Sequence, residues 1–266
     1  MRSIALPVVL AFCACLPLAA QDWAKARLEQ SPRHRESVTI NHDGRALHAF
    51  VAYPEAASKR PVVLVIHEIF GLSDWAQEVT DELAAAGYVA IAPDLLSGAG
   101  PNGGGTESLG GQTAVGRAIR DLKPEQIAAD LNAAADWALK QPASNGQLYV
   151  IGFCWGGGHS FTFATERRNL KAAFVFYGTT PAAVALARIT AHVYGFYAGN
   201  DARISATVPA TRESMAKLRK PYEAVIYEGA GHGFMRAGEQ PDATSANAQA
   251  RDAAWAKIKQ VMAAAH

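Results

Sequence analysis

The stretch I-G-F-C-W-G-G-G at residues 151–158 sets Cys154 between glycines two positions before and two positions after it. G-x-C-x-G after an apolar run and ahead of a helix-like stretch is the pattern of a nucleophile elbow, whose central residue is more often serine. In so sharp a turn, side chains at the flanking positions would collide with neighbouring elements, and glycine avoids this. A nucleophile at the start of a helix also meets the positive end of the helix dipole, which favours thiolate over thiol. The N–H of Trp155 would face an oxyanion developing on a substrate carbonyl. Two later stretches complete the chemistry: Y-A-G-N-D ends at Asp201, and Y-E-G-A-G-H-G-F carries His232. His232 would take the thiol proton and return it to the leaving group, while Asp201 would fix the imidazole tautomer and stabilise its charged form. Taken singly, Asp201 reads as a turn residue, His232 as a surface histidine and Cys154 as a small buried hydrophobe. Nucleophile, acid and histidine in that order, each at the end of a predicted strand, point to covalent acyl transfer.

For these side chains to meet, the strands that carry them must end side by side. Residues 45–53 alternate as a half-buried strand does, and P-V-V-L-V-I-H-E (61–68) is a continuous β-branched run suited to a strand covered on both faces. The next segment predicts a helix capped by Ser73 or Asp74 and stopped by Gly87. Strands follow at 88–94 and 147–153, around a helix over 123–140 that opens at Pro124, a favoured first position. Beyond Cys154, a helix to about Arg167 leads to apolar strands within 171–178, 191–201 and 221–231. A helix near 207–219 separates the last two, and a helix over 243–265 closes the chain. Apolar strands alternating with helices predict an α/β protein with a mostly parallel central sheet and helices on both faces. With the order of the trio, this is the α/β-hydrolase fold, expected as a single domain over 21–266. The glycine-rich 97–112 is too polar for a core and reads as a mobile loop, either a lid or a disordered insertion.

Half of the 266 residues are hydrophobic and 18% are charged, enough apolar material for one large core. The formal net charge is +1 and no basic run occurs, which argues against a nucleic-acid partner. The opening M-R-S-I-A-L-P-V-V-L-A-F-C-A-C-L-P-L-A-A-Q puts one arginine before an apolar stretch that ends in small residues. This predicts a signal peptide over 1–20, a secreted or periplasmic protein starting near Gln21, and no membrane association after cleavage. A retained anchor helix or a lipoprotein at Cys15 is a weaker reading of the same segment. With Cys13 and Cys15 removed, Cys154 stands alone, which excludes an internal disulfide, a resolving partner for thiol redox chemistry and a thiolate metal site. His67, His159 and the other histidines lack metal-ligand spacing, so no metal and no cofactor are expected. A monomer is the expected state.

V-I-H-E-I-F-G at 65–71, A-P-D-L at 92–95, G-F-C-W-G-G at 152–157, G-N-D at 199–201 and G-A-G-H-G-F at 229–234 resemble the dienelactone hydrolase family. These enzymes, also called carboxymethylenebutenolidases, are cysteine α/β-hydrolases, and the resemblance runs in order over about residues 35–263. It implies hydrolysis of a lactone or small ester through a thioester acyl-enzyme on Cys154. It also implies a role for Glu68, otherwise a solvated strand end. The matching family glutamate lies beside the resting thiol and is displaced by substrate, helping to generate the thiolate. A thiol charged only when substrate arrives is guarded against oxidation. The N–H of Ile69 is implied as the second oxyanion donor. Two arginines hold the substrate carboxylate in family members acting on dienelactone. Arg236, in H-G-F-M-R, matches one; the other falls near Gly98, where Arg117 or Arg120 could substitute only if the glycine-rich loop folded back. The reaction class is therefore better defined than the small-molecule substrate. A broader secreted carboxylesterase, an esterase on plant-polymer acyl groups and a non-catalytic binding module on the same fold are the alternatives. A substrate panel separates the first two, and covalent labelling of Cys154 by an ester analogue tests the third.

Overall fold

β-Branched and aromatic runs build a sheet of eight strands: β1 (Arg35–His42), β2 (Arg45–Ala52), β3 (Arg60–Ile66), β4 (Val89–Pro93), β5 (Ser144–Phe153), β6 (Leu170–Phe176), β7 (His192–Ala198) and β8 (Tyr222–Tyr227). The computed structural model describes residues 21–264; the expected signal segment 1–20 lies outside the described residues. Spatial order is β1-β2-β4-β3-β5-β6-β7-β8. β1–β2 and β2–β4 pair antiparallel and every other pair is parallel. This is the mostly parallel sheet of the α/β-hydrolase fold.

Among the described residues, ten α-helices accompany it: α1 (Asp22–Gln30), α2 (Asp74–Ala85), α3 (Gln112–Asp121), α4 (Pro124–Leu139), α5 (Trp155–Glu166), α6 (Ala183–Leu186), α7 (Ala202–Ser205), α8 (Val208–Lys217), α9 (Phe234–Ala237) and α10 (Ser245–Ala264). Alternation along the central strands shows why their apolar runs are unbroken. Val62, Leu64 and Ile66 of β3 join the core on the face covered by α4 and α5, while Val63 and Val65 join the core on the opposite face, where α2 lies. Each such side chain contributes roughly 1.5–3 kcal/mol by leaving water. An aspartate at Val63 would strand an unpaired charge between layers and break the central strand. Ser73 caps α2, its Oγ accepting from the N–H of Ala76, and Pro124 opens α4. No helix among the described residues is long and apolar enough to cross a membrane.

Several elements and boundaries differ from the sequence reading, among them β1, α1, the end of β3 and the glycine-rich stretch. β1 is an edge strand in which only Ile40 is buried, so its sequence carries little apolar signal. α1 buries only Ala24 and Leu28. β3 stops at Ile66, which leaves His67 and Glu68 in the turn beyond the strand. The glycine-rich stretch is a tethered segment rather than a free loop. The N–H and hydroxyl of Thr106 both donate to Asp94 at 2.7 Å, and its Oγ1 accepts from the N–H of Leu72 at 3.0 Å. α3 follows it, with Val115 and Ile119 packed on Leu96.

Candidate active site

Cys154 sits between the last residue of β5 and the first of α5, with φ 56° and ψ −116°. A non-glycine residue there costs on the order of 1–3 kcal/mol and persists only where its surroundings enforce it. They do. The N–H of Cys154 donates to the carbonyl of Phe176, and its own carbonyl accepts from the N–H groups of Gly157 and Gly158. A Cβ on Gly152 would lie 2.0 Å from the carbonyl oxygen of Gly156. One on Gly156 would lie 2.3 Å from that of Ile66 and 2.4 Å from that of His67. Glycine is needed at both positions, as the turn predicts.

Parallel pairing of β7 with β8 brings the Asp201 and His232 loops out at the same end of the sheet. Asn200 ties them together: its N–H donates to the carbonyl of Ala230 and its amide to that of Gly229, both at 2.9 Å. Asn247 of α10 accepts from the N–H of Gly231 at 2.8 Å, which fixes the histidine loop from behind. His232 then lies with Nδ1 2.5 Å from Asp201 Oδ2 and Nε2 3.1 Å from Cys154 Sγ. With Nδ1–H donated to the carboxylate, Nε2 is the nitrogen free to accept the thiol proton. The backbone N–H groups of Trp155 and Ile69 both donate toward the Cys154 sulfur. Both lie beside the sulfur, where they could also donate to the oxygen of a carbonyl bound against it.

Beneath the thiol lies a buried ion pair. Glu68, only 3% exposed, accepts from Nε–H of Arg236 at 2.8 Å. Burial raises the Glu68 carboxyl above its ordinary value, and the Arg236 charge opposes that rise. Cys154 is pushed up to about 11, first by burial and then by the Glu68 charge, against the two N–H donors. The resting group is therefore a thiol. The helix start favours thiolate, but in this site burial and a nearby carboxylate outweigh it.

The thiol and His232 open onto a cavity of about 330 Å³ whose walls include Ile69, Trp155, His159, Tyr177, Thr179 and Arg203. A larger groove, about 610 Å³, runs beside β1, β2 and the glycine-rich stretch and contains no member of the trio. Arg236, expected at a substrate carboxylate, faces Glu68 and is absent from the cavity wall. Arg117 and Arg120 are exposed on α3 and do not reach it either. A Cβ on Gly98 would lie 3.5 Å from Nη1 of Arg45, but that arginine pairs with Asp130. His67 is fully buried with Nδ1 2.8 Å from the carbonyl of Glu68, and its ring stacks with that of Trp155 at 5.6 Å. It braces the turn that carries Glu68 and Ile69. Three wall residues, His159, Tyr177 and Arg203, were not singled out by the sequence reading as part of the site. His159 lies four residues after Trp155, so one helical turn brings the two rings to 4.2 Å between centroids, tilted 58° to each other. Arg203 stands two residues past Asp201. Tyr177 closes β6 at φ 38°, its ring 4.9 Å from that of His232.

The model of the dienelactone hydrolase family matches residues 47–266. A candidate carboxymethylenebutenolidase of Yersinia pestis is 31% identical over 214 residues, covering 76% of this chain and 79% of that protein. Among solved structures, a candidate dienelactone hydrolase of Klebsiella pneumoniae superposes with a TM-score of 0.76 at 26% identity, covering 87% of this chain and 98% of the other. The dienelactone hydrolase of Anabaena variabilis, at 22% identity, shares the fold with a TM-score of 0.63, covering 84% of this chain and 96% of its own.

Proposed function

The chain belongs to the dienelactone hydrolase family, and from that premise we propose that it opens a lactone or small ester with Cys154 as the nucleophile. The observation that carries this reading is the Asp201–His232–Cys154 chain, with contacts of 2.5 and 3.1 Å, beside two N–H donors. A substrate carbonyl oxygen would settle against the N–H groups of Trp155 and Ile69. His232 Nε2 would accept the thiol proton as sulfur attacks the carbonyl carbon, and the imidazolium would be stabilised by Asp201. Collapse of the tetrahedral intermediate would expel the leaving oxygen, protonated by His232, and leave a thioester on Cys154. Water deprotonated by His232 would then release the acid and restore the thiol.

Glu68 enters before attack. Its raised pKa brings it closer to that of the thiol, so a proton shared between them moves less far uphill. Substrate that separates Glu68 from the sulfur would remove the charge that holds the thiol neutral, in keeping with the family's displaced glutamate. A panel of lactones and short-chain esters on the purified protein, with Cys154→Ala alongside, tests the reading. Turnover that survives in the variant would reject Cys154 as nucleophile, and a wild-type protein inert to the whole panel would favour a binding module. We also propose that residues 1–20 are removed on export. Intact mass of exported protein should place the N-terminus near Gln21, and retention of the apolar segment would reject this.

A further inference from the structure

Arg236, held on Glu68 beside the thiol, is engaged among the described residues, whereas Arg203 is not. Arg236 pairs with Glu68 and Arg45 with Asp130, while Arg188 donates to the hydroxyl of Thr165 and Arg212 to the carbonyl of Ala224. Arg203 lines the same cavity as Cys154 and His232, and among the described residues it has no hydrogen-bond or ion-pair partner. Its placement is fixed by backbone. α7 starts directly after Asp201, whose carbonyl accepts from the N–H groups of Ile204 at 3.1 Å and Ser205 at 2.8 Å. Ser205 Oγ–H donates to the carbonyl of Ala198 at 2.6 Å, and Ile204 is buried against Tyr197 and Val208. The turn that presents Asp201 to His232 thus also presents Arg203 to the cavity.

No carboxylate lines that cavity. His159 on its wall is pushed down to about 4, by burial and then by His67, and is neutral at pH 7. The fixed charge facing a bound molecule is therefore positive, and the hydroxyls of Thr162, Thr179 and Thr180 share the wall. Given the hydrolase reading above, we propose that Arg203 makes the site selective for acyl substrates carrying a second, anionic group, such as a carboxylate, which its guanidinium grips inside the cavity.

Arg203 also acts on the sulfur, since its charge opposes the rise in the Cys154 pKa. The two effects separate cleanly. A change in thiolate alters the rate with every electrophile alike, whereas an anion grip favours only anionic ones. Alkylation of Cys154 by iodoacetate and by the neutral, near-isosteric iodoacetamide isolates the grip. In both reactions the thiolate forms an S–CH₂ bond and iodide leaves, so the ratio of the two rates cancels the thiolate fraction. The rates would be followed by mass spectrometry of the Cys154 peptide from the full chain, for wild type, Arg203→Ala, Arg203→Lys and the remote surface variant Arg117→Ala.

Arg203→Ala should lower the iodoacetate-to-iodoacetamide ratio about tenfold at low salt, the scale of one charge-assisted contact. Arg203→Lys should restore most of it, and high salt should compress the difference. A ratio unchanged by Arg203→Ala, or lowered equally by Arg117→Ala, would overturn the assignment. A second arm compares hydrolysis of mono-p-nitrophenyl adipate with that of p-nitrophenyl hexanoate. Preference for the adipate that disappears in Arg203→Ala supports the grip on substrate, and equal loss on both esters opposes it. If wild type hydrolyses neither ester and nothing on the lactone and ester panel while the alkylation ratio still depends on Arg203, the hydrolase reading fails and the anion contact stands.

Discussion

Replacing Glu68 by glutamine should convert Cys154 from a guarded thiol into a group that ionises far more readily at rest. In the folded protein the thiol rises from 9.0 to about 11. That rise is worth about 3 kcal/mol against the thiolate. At pH 8 about one molecule in a thousand then carries the thiolate, against about one in ten for an ordinary cysteine. Burial is the larger cause and the Glu68 charge the second. Glu68→Gln removes only the second cause, and it also frees the Arg236 charge now paired with it. The thiolate fraction at pH 8 should rise severalfold, below a ceiling of about 100-fold set by full return to the ordinary value. Iodoacetamide alkylation of the Cys154 peptide, measured from pH 6 to above pH 10, reads this directly. Wild type should climb with unit slope through pH 10, unfolded chain should level near the ordinary value, and Glu68→Gln should level earlier than wild type. The variant should also oxidise faster in peroxide. A wild-type profile level below pH 9 would refute the reasoning, as would a Glu68→Gln thiol that titrates higher.

Asp201→Asn should lower kcat/KM on the order of 10²–10⁴-fold while the fold survives, because an amide neither fixes the tautomer nor stabilises the imidazolium; near-native kinetics would count against the trio. Gly156→Ala should unfold or misassemble the turn, since its Cβ would press on the backbone carbonyls of Ile66 and His67; a normal melting temperature with full activity would contradict that geometry. Glu78 packs near Glu82 and Glu239, with Arg27 and Arg251 bridging the cluster, and is pushed up to about 8, first by burial and then by the Glu239 charge. Between pH 4.5 and about 8 the folded chain holds a proton that the unfolded chain has released, so stability should fall as pH rises through that window. Glu78→Gln should remove the fall, with a gain above pH 8 of up to about 5 kcal/mol that vanishes toward pH 4; an equal gap at both ends would reject the shifted carboxyl.

What could be read from the chain alone followed local physics. Apolar runs such as Val62–Ile66 declare buried strands because both faces are covered, and Pro124 and Ser73 mark helix starts through backbone chemistry. The elbow was legible because its glycines answer to contacts that any such turn must make. β1 was not, since an edge strand with one solvated face has no continuous apolar run. α1 was missed for a different reason. It is held by partners distant in sequence, Arg27 on Glu239 and the N–H of Trp75 on the Gln21 side chain. The glycine-rich stretch misled because its order depends on one threonine, Thr106, meeting Asp94. Arg236 matched a family position, yet its bond to Glu68 spans 168 residues, a pairing no local pattern reveals. Arg203 carried no signal beyond its place two residues after Asp201.

The thioester on Cys154 is the claim on which the rest depends, and mass spectrometry of acid-quenched reactions tests it most directly. Wild-type protein mixed with p-nitrophenyl acetate and quenched within the first turnovers should carry one acetyl group on the Cys154 peptide. Neutral hydroxylamine should remove that group, and Cys154→Ala should neither acquire it nor turn over the ester. His232→Ala should form it slowly if at all, because the thiol then lacks its proton acceptor 3.1 Å away. Steady turnover by wild type with no acyl group on Cys154 at any quench time, or an acyl group borne by another residue, would contradict the account.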